Sequence, residues 1–249
     1  MAKVFLGVGH GGSDPGAVAN GFNEKDLNLS IALACNAELI RHGVSVLMSR
    51  TKDENDTLND EIKECNAYNP DLAIDIHNNA GGGDGAETFY HYGGGLSKTL
   101  AENIISAVVA IGQNSRGTKT RRGSDGRDYY GFIREIVAPA VIVECAFVDN
   151  ATDIQIIDTE EKCKTMGIAL AKGILATLGI TWIAPVVESP KVETPVVETP
   201  SVETPTETPE ETVPETVPEN KNEDYHNKLV DTIIKFLEWL MSLFKGGNE

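Results

Sequence analysis

Five short runs of apolar, often β-branched residues punctuate the chain, at positions 3–9, 44–48, 71–77, 86–92 and 140–147. Each has the length of a strand and gives way to glycine or polar residues. Helical patterns fill the intervals. From Asn23 onward Leu27, Ile31, Ala34 and Leu39 recur at helical spacing. Asn23 stands where an N-cap belongs, Glu24 and Asp26 suit the positive end of the dipole, and Gly43 is placed to close the helix in the left-handed conformation. Further helices are expected over 58–68, 97–111 and 160–178. Strands alternating with helices specify a single α/β domain with a mostly parallel central sheet flanked by helices. About 180 residues bury roughly 70% of the unfolded surface, so such a domain folds alone. Its expected extent is residues 1–183.

Beyond Ile183 the composition changes. Eight of the eleven prolines lie between Pro185 and Pro218, in near-repeats such as KVETP, VVETP and SVETP. Proline at that frequency forbids helix and sheet interiors, and glutamates repel one another. Residues 184–224 therefore read as a disordered, extended spacer. Residues 225–249 regain a pattern, in which Asp231, Lys235, Glu238, Ser242 and Lys245 form one narrow polar stripe on an otherwise apolar helix. At 1.5 Å per residue, the segment 229–244 spans roughly 24 Å, short of a bilayer core near 30 Å. Its wide apolar face, with a seam at Val230, Ile233, Leu237, Leu240 and Phe244, suits self-association or contact with a membrane surface.

The net charge of −17 divides into −8 for residues 1–184 and −9 for the remainder. A basic field for gripping nucleic acid is missing, which argues against a duplex binder. Cys35, Cys65, Cys145 and Cys163 show no paired spacing and sit within apolar runs, so they read as reduced core residues. The apolar start of MAKVFLGVGHGG is too short for the centre of a signal peptide and runs directly into His10. The expectation is synthesis in the cytoplasm without a leader.

In a parallel sheet, chemistry gathers at the carboxyl edge. His10 follows the first strand, His77 ends the third, and Glu24 opens the first helix, so all three reach that edge. Two histidines and a glutamate form a known zinc-hydrolase ligand set with a fourth position left for water. Glu144 lies inside the run AVIVECAF, where an unpaired carboxylate is costly; apolar neighbours there raise its pKa and make it a candidate general base. Taken singly, each residue also has a plain structural reading, since strand-ending histidines are commonly surface groups and buried glutamates commonly meet an arginine. The compact HExxH signature does not occur.

Five pieces in order, GHGGSDPG, NEKDLNLSIALA, DLAIDIHNNA, GAETFY and PAVIVECAFVDNATD, resemble the zinc-dependent N-acetylmuramoyl-L-alanine amidases of the amidase-3 type. The resemblance covers about residues 3–180. It implies hydrolysis of the amide between N-acetylmuramic acid and L-alanine in peptidoglycan. One zinc ion would be held by His10, Glu24 and His77, with Glu144 as the catalytic glutamate. It also points to a phage or prophage endolysin, exported by a holin-type route to act on the cell wall. Two other readings stay open: a zinc peptidase or carboxypeptidase acting on stem peptides, and a non-catalytic wall-binding relative.

Two positions depart from the family. Asp75 stands where serine is common, and Glu61 where arginine is common in the second helix. Neither is a ligand or base, so the expected effect is on local packing and the orientation of His77. Support of the site by Asp75 is not expected, because its strand neighbours are taken to point the other way. Residues 113–131 read as a mobile loop. Its Arg116, Lys119, Arg121, Arg122 and Arg127 suit carboxylates of stem peptides. Arg121, Arg122 and Asn79 are the candidate substrate contacts.

Overall fold

The first strand, β1 (Lys3–Val8, KVFLGV), is fully buried after its opening lysine, and it sits inside the sheet of the computed structural model, which describes residues 1–185. A two-stranded ribbon, β2 (Val18–Ala19) and β3 (Phe22–Asn23), leads into α1 (Glu24–Arg41). Then come β4 (Ser45–Met48), α2 (Leu58–Tyr68), β5 (Leu72–Asn79), β6 (Ala86–Tyr90) and α3 (Leu96–Val109). The order closes with β7 (Ser115–Lys119), α4 (Gly131–Glu135), β8 (Ala140–Phe147) and α5 (Glu160–Thr177).

The main sheet has the order β4-β1-β5-β8-β6-β7. Its first four strands are mutually parallel; β6 runs antiparallel to β8, and β7 runs parallel to β6. The mostly parallel α/β architecture expected from the sequence is the one observed. Alternation along the strands divides the core in two. Val4, Leu6 and Val8, with Ile74, Ile76, Val141 and Val143, face the long helices α1, α3 and α5. Phe5, Ala73, Ala140 and Ile142 face the other way, toward Cys65 of α2 and Phe132 and Ile133 of α4. That second layer is thin, since α4 has 5 residues and α2 has 11, against 18 in each of α1 and α5. All four cysteines are buried and unpaired.

Local signals explain the element ends. Thr57 Oγ1 accepts from the Asp60 N–H at 3.2 Å and caps α2; Thr159 does the same for α5. Asn23 occupies the N-cap position of α1 but its side chain caps nothing; its Nδ2 donates to Asp26 Oδ2 at 2.9 Å. Gly43, at φ +75°, takes the left-handed conformation expected after α1. The segment 113–131, read from sequence as a loop, holds an edge strand at its start and leads directly into α4. The run SRGTK lacks apolar alternation because β7 pairs on one side only. Its Arg116 and Lys119 are held instead by Glu87 of β6.

At the domain's end, Trp182 Nε1 donates to Glu38, and the Ile183 N–H donates to His42 Nε2 at 3.0 Å. From residue 186 on, the expected spacer and C-terminal helix lie outside the described residues. Among the described residues no helix is long and apolar enough to cross a membrane.

Helix α5 fits between its neighbours because it carries glycine at the contacts. A Cβ on Gly167 would fall 2.4 Å from the Ile31 carbonyl oxygen and 2.7 Å from Ala34 Cβ, and one on Gly173 would fall 2.6 Å from Ile104 Cα. Backbone cannot yield as a flexible side chain can. Gly167→Val should therefore destabilise the domain by roughly 2 kcal/mol, seen as a Tm lower by about 4–8 °C in a thermal melt. An unchanged Tm would show that the α1–α5 contact is looser than described.

Candidate active site

The turn after β1 places the first imidazole. His10 has φ +62°, a left-handed conformation that few residues with a side chain adopt, and Gly11 and Gly12 continue the turn at φ +145° and +54°. Such strain, of order 1–3 kcal/mol, is characteristic of functional turns. His10 Nε2 lies 3.2 Å from Glu24 Oε2, and its Nδ1 lies 2.8 Å from Asp14 Oδ2.

Glu24 is the first residue of α1 and is only 4% exposed. Its Oε2 accepts from the Ala17 N–H at 2.9 Å, and its Oε1 accepts from the Asn78 N–H at 3.1 Å and from Asn28 Nδ2 at 3.3 Å. Burial pushes its pKa up, but hydrogen bonds to His10 and His77 outweigh burial and hold it well below the usual carboxylate range.

His77 approaches from β5. Its Nδ1 lies 3.0 Å from Glu24 Oε1, and its Nε2 lies 3.3 Å from Asp75 Oδ2. The glycine just after β1 makes the room, because a Cβ on Gly9 would fall 2.2 to 2.5 Å from three atoms of the His77 ring. Burial lowers the His77 pKa, but the charge of Asp75 and hydrogen bonds to Asp75 and Glu24 drive it well above the ordinary value. For His10 the hydrogen bond to Glu24 raises the pKa and outweighs burial.

One ligand atom from each of His10, Glu24 and His77 lies within 4.8 Å of the others. Donors about 2.0–2.1 Å from a tetrahedral zinc are about 3.3 Å apart. A carboxylate oxygen of Glu24 comes within about that distance of each ring, Oε2 at 3.2 Å from His10 and Oε1 at 3.0 Å from His77. Two imidazoles and one carboxylate suit a borderline dication such as zinc.

Glu144 is the register partner of His77 across β5 and β8. Its Oε2 is buried without a hydrogen-bond partner. Burial is the main influence on its pKa; His77 opposes it, Glu24, Asp75 and Glu87 add to it, and the result is a pKa raised to about 7. The four residues singled out in the sequence thus converge. A cavity of about 270 Å³ opens beside the two histidines, lined by His10, Asp14, His77, Leu58, Tyr130 and Phe132 among others.

Three acids need a different reading from the one the sequence suggested. Asp75 and His77 are two positions apart on one strand, so they share a face; Asp75 does reach the site, contrary to expectation. Glu61 is buried, and burial together with the charges of Asp75 and Asp56 lifts its pKa to about 9, so it keeps its proton at neutral pH. Glu87, overlooked in the sequence, is the register partner of Glu144 on the other side. It is 5% exposed and accepts from Arg116 Nε at 2.7 Å, from Lys119, and from Asn79 Nδ2 at 3.0 Å. The available signal was a lone acid inside the strand GAETFY.

Of the remaining candidates, Arg121 contacts a residue that lines the cavity, whereas the contacts of Arg122 and Asn79 are with residues outside that lining. Arg121 stacks on Tyr129 at 3.7 Å and donates to the hydroxyl of Tyr130, which lines the cavity. Arg122 stacks on Tyr92 at 4.3 Å and donates to the Gly126 carbonyl. Both are exposed. Asn79 has both ends of its amide engaged, with Nδ2 on Glu87 and Oδ1 accepting from the Ala80 N–H at 2.8 Å.

The profile of a family described as N-acetylmuramoyl-L-alanine amidase matches residues 4–176. The chain is 36% identical over 178 residues to the sporulation-specific N-acetylmuramoyl-L-alanine amidase of Bacillus subtilis, a match covering 70% of this chain and 67% of that protein. It is 32% identical over 190 residues to the endolysin of Bacillus phage SPP1, covering 72% and 68%. Among solved structures, the catalytic domain of CwlV, an N-acetylmuramoyl-L-alanine amidase from Bacillus (Paenibacillus) polymyxa var. colistinus, aligns at a TM-score of 0.65 and 28% identity, over 73% of this chain and 100% of that one. A profile match spanning nearly all of the sheet, on a fold shared with a solved amidase, places this chain in the N-acetylmuramoyl-L-alanine amidase family.

Proposed function

We propose that this amidase holds one zinc ion on His10, Glu24 and His77 and uses it to cleave the amide between N-acetylmuramic acid and L-alanine in peptidoglycan, as a lytic enzyme of phage or prophage type. The carrying observation is the placement of Glu144, a carboxylate with one buried, unpartnered oxygen, on the strand position beside His77. Bound zinc would lower the pKa of its water toward about 7 and polarise the scissile carbonyl. Glu144, already raised to about 7, is matched to take a proton from the attacking water and return it to the departing alanine nitrogen. Its hydrophobic flank, Ile142, lies on the same strand face and helps keep the proton from bulk solvent. Arg121 and Arg122 keep exposed N–H edges and are the proposed contacts for stem carboxylates. A contact from Asn79 would cost one of its internal hydrogen bonds, so its main role is to hold Glu87.

Digestion of purified peptidoglycan should release new amino ends that are N-terminal alanine. Glu144→Gln should retain zinc while kcat falls by roughly 10²–10⁴-fold. New ends on any other residue would replace the amidase reading with a stem peptidase, and near-normal turnover in the variant would remove Glu144 as the base.

The same groups set a pH dependence. In the metal-free folded protein, Glu144 (about 7) and Glu61 (about 9) hold protons that ordinary carboxyls near 4.5 have lost. His10 and His77, raised above 6.5, likewise keep protons that unfolded rings release. The folded state then binds more protons than the unfolded one, so stability falls as pH rises through this window. Carboxylates held low, such as Glu24 and Asp14, act only at more acid pH. Zinc competes with protons for the same atoms, so its binding strengthens as pH rises. The chelator-treated protein should melt lower at about pH 8.5 than at about pH 6, and added zinc should raise Tm more at the higher pH. A metal-free Tm that climbs over this interval would contradict the assignment.

A further inference from the structure

We propose that Asp75 is a positioning residue for the metal centre, accepting the Nε2–H of His77 and so fixing the ring in the tautomer that presents Nδ1 beside Glu24. This rests on the reading that His10, Glu24 and His77 hold zinc. Each ring nitrogen of His77 faces a carboxylate, Nδ1 toward Glu24 at 3.0 Å and Nε2 toward Asp75 at 3.3 Å. Nδ1 is the nitrogen that faces Glu24, the carboxylate that also meets His10. When Nδ1 binds a cation the other nitrogen carries the proton, and Asp75 Oδ2 is the acceptor within reach of it.

Asp75 is built for that duty. Its side chain is 5% exposed, against 65% for Asp14, the corresponding carboxylate behind His10. Its Oδ1 is buried and has no hydrogen-bond partner among the described residues, so no internal donor draws the carboxylate away from the ring. Space for it comes from Gly7, whose added Cβ would lie 2.8 Å from Asp75 Oδ1 and 3.1 Å from the Phe132 ring. The neighbouring carboxyl of Glu61 keeps its proton, so it does not add a second full charge beside it. A carboxylate in such a dry place interacts more strongly with an imidazole than an exposed one does. Carboxylate behind histidine raises ligand basicity and locks ring orientation, at a typical worth of 10–100-fold in metal affinity.

The test is zinc affinity, measured on the metal-free full chain by competition with a chromophoric chelator. Asp75→Ser should bind zinc about 10–100-fold more weakly. Asp75→Asn, which keeps the shape and an acceptor but removes the charge, should lose less. The metal-free fold of Asp75→Asn, read by circular dichroism, should match that of the parent, an outcome that separates positioning from structural support. In the zinc-loaded parent, nitrogen-15 shifts of His77 should show Nδ1 coordinated and Nε2 protonated. Coordination through Nε2, or affinities of both variants within about twofold of the parent, would overturn the proposal. A parent chain with no measurable zinc affinity would instead remove the zinc reading on which it rests.

Discussion

One buried carboxylate joins the parts of this domain that chemistry requires. Glu24 sits at the start of α1, yet its two oxygens meet a turn from β1, the backbone of β5, the ribbon before the helix and both imidazoles. Few arrangements keep a charge this deep without penalty. Here the helix dipole, two backbone N–H groups and two rings share the load. The positions of His10 and His77 are therefore coupled through Glu24, and a shift of α1 against the sheet would disperse the centre.

Much of this was legible in the sequence because it follows from short-range rules. Strands β1, β4, β5 and β8 announce themselves as apolar runs, and the turn after β1, the start of α1 and the end of β5 bring His10, Glu24 and His77 to one edge. Glu144 was readable as a charge out of place. What escaped notice depends on pairing that a single chain does not display. Strand β7 has a polar sequence because it is an edge, and its stability comes from Glu87 on a neighbouring strand. The role of Glu87 itself appears only when β6 is set against β8. The failure with Asp75 was different in kind: the two-residue period of a strand puts it on the face of His77, so this contact was available to the sequence and was misjudged.

The centre is rich in negative charge, with Asp14, Glu24, Asp75, Glu87 and Glu144 gathered around two histidines. Different devices keep it tolerable. Glu87 is matched by Arg116 and Lys119, Glu61 stays protonated behind it, and Glu144 is balanced near neutrality. A dication entering such a field is attracted by the whole cluster as well as by the three atoms it would touch.

Gly9 shows how narrow the margin between catalyst and inert fold is. Its φ lies outside the left-handed region, so the backbone itself does not require glycine. The added methyl would nevertheless stand where the His77 ring now lies. One added carbon atom would thus displace the His77 imidazole while every ligand residue stays in the sequence. Descent of a purely adhesive relative from an enzyme of this kind needs no change in any residue that handles substrate.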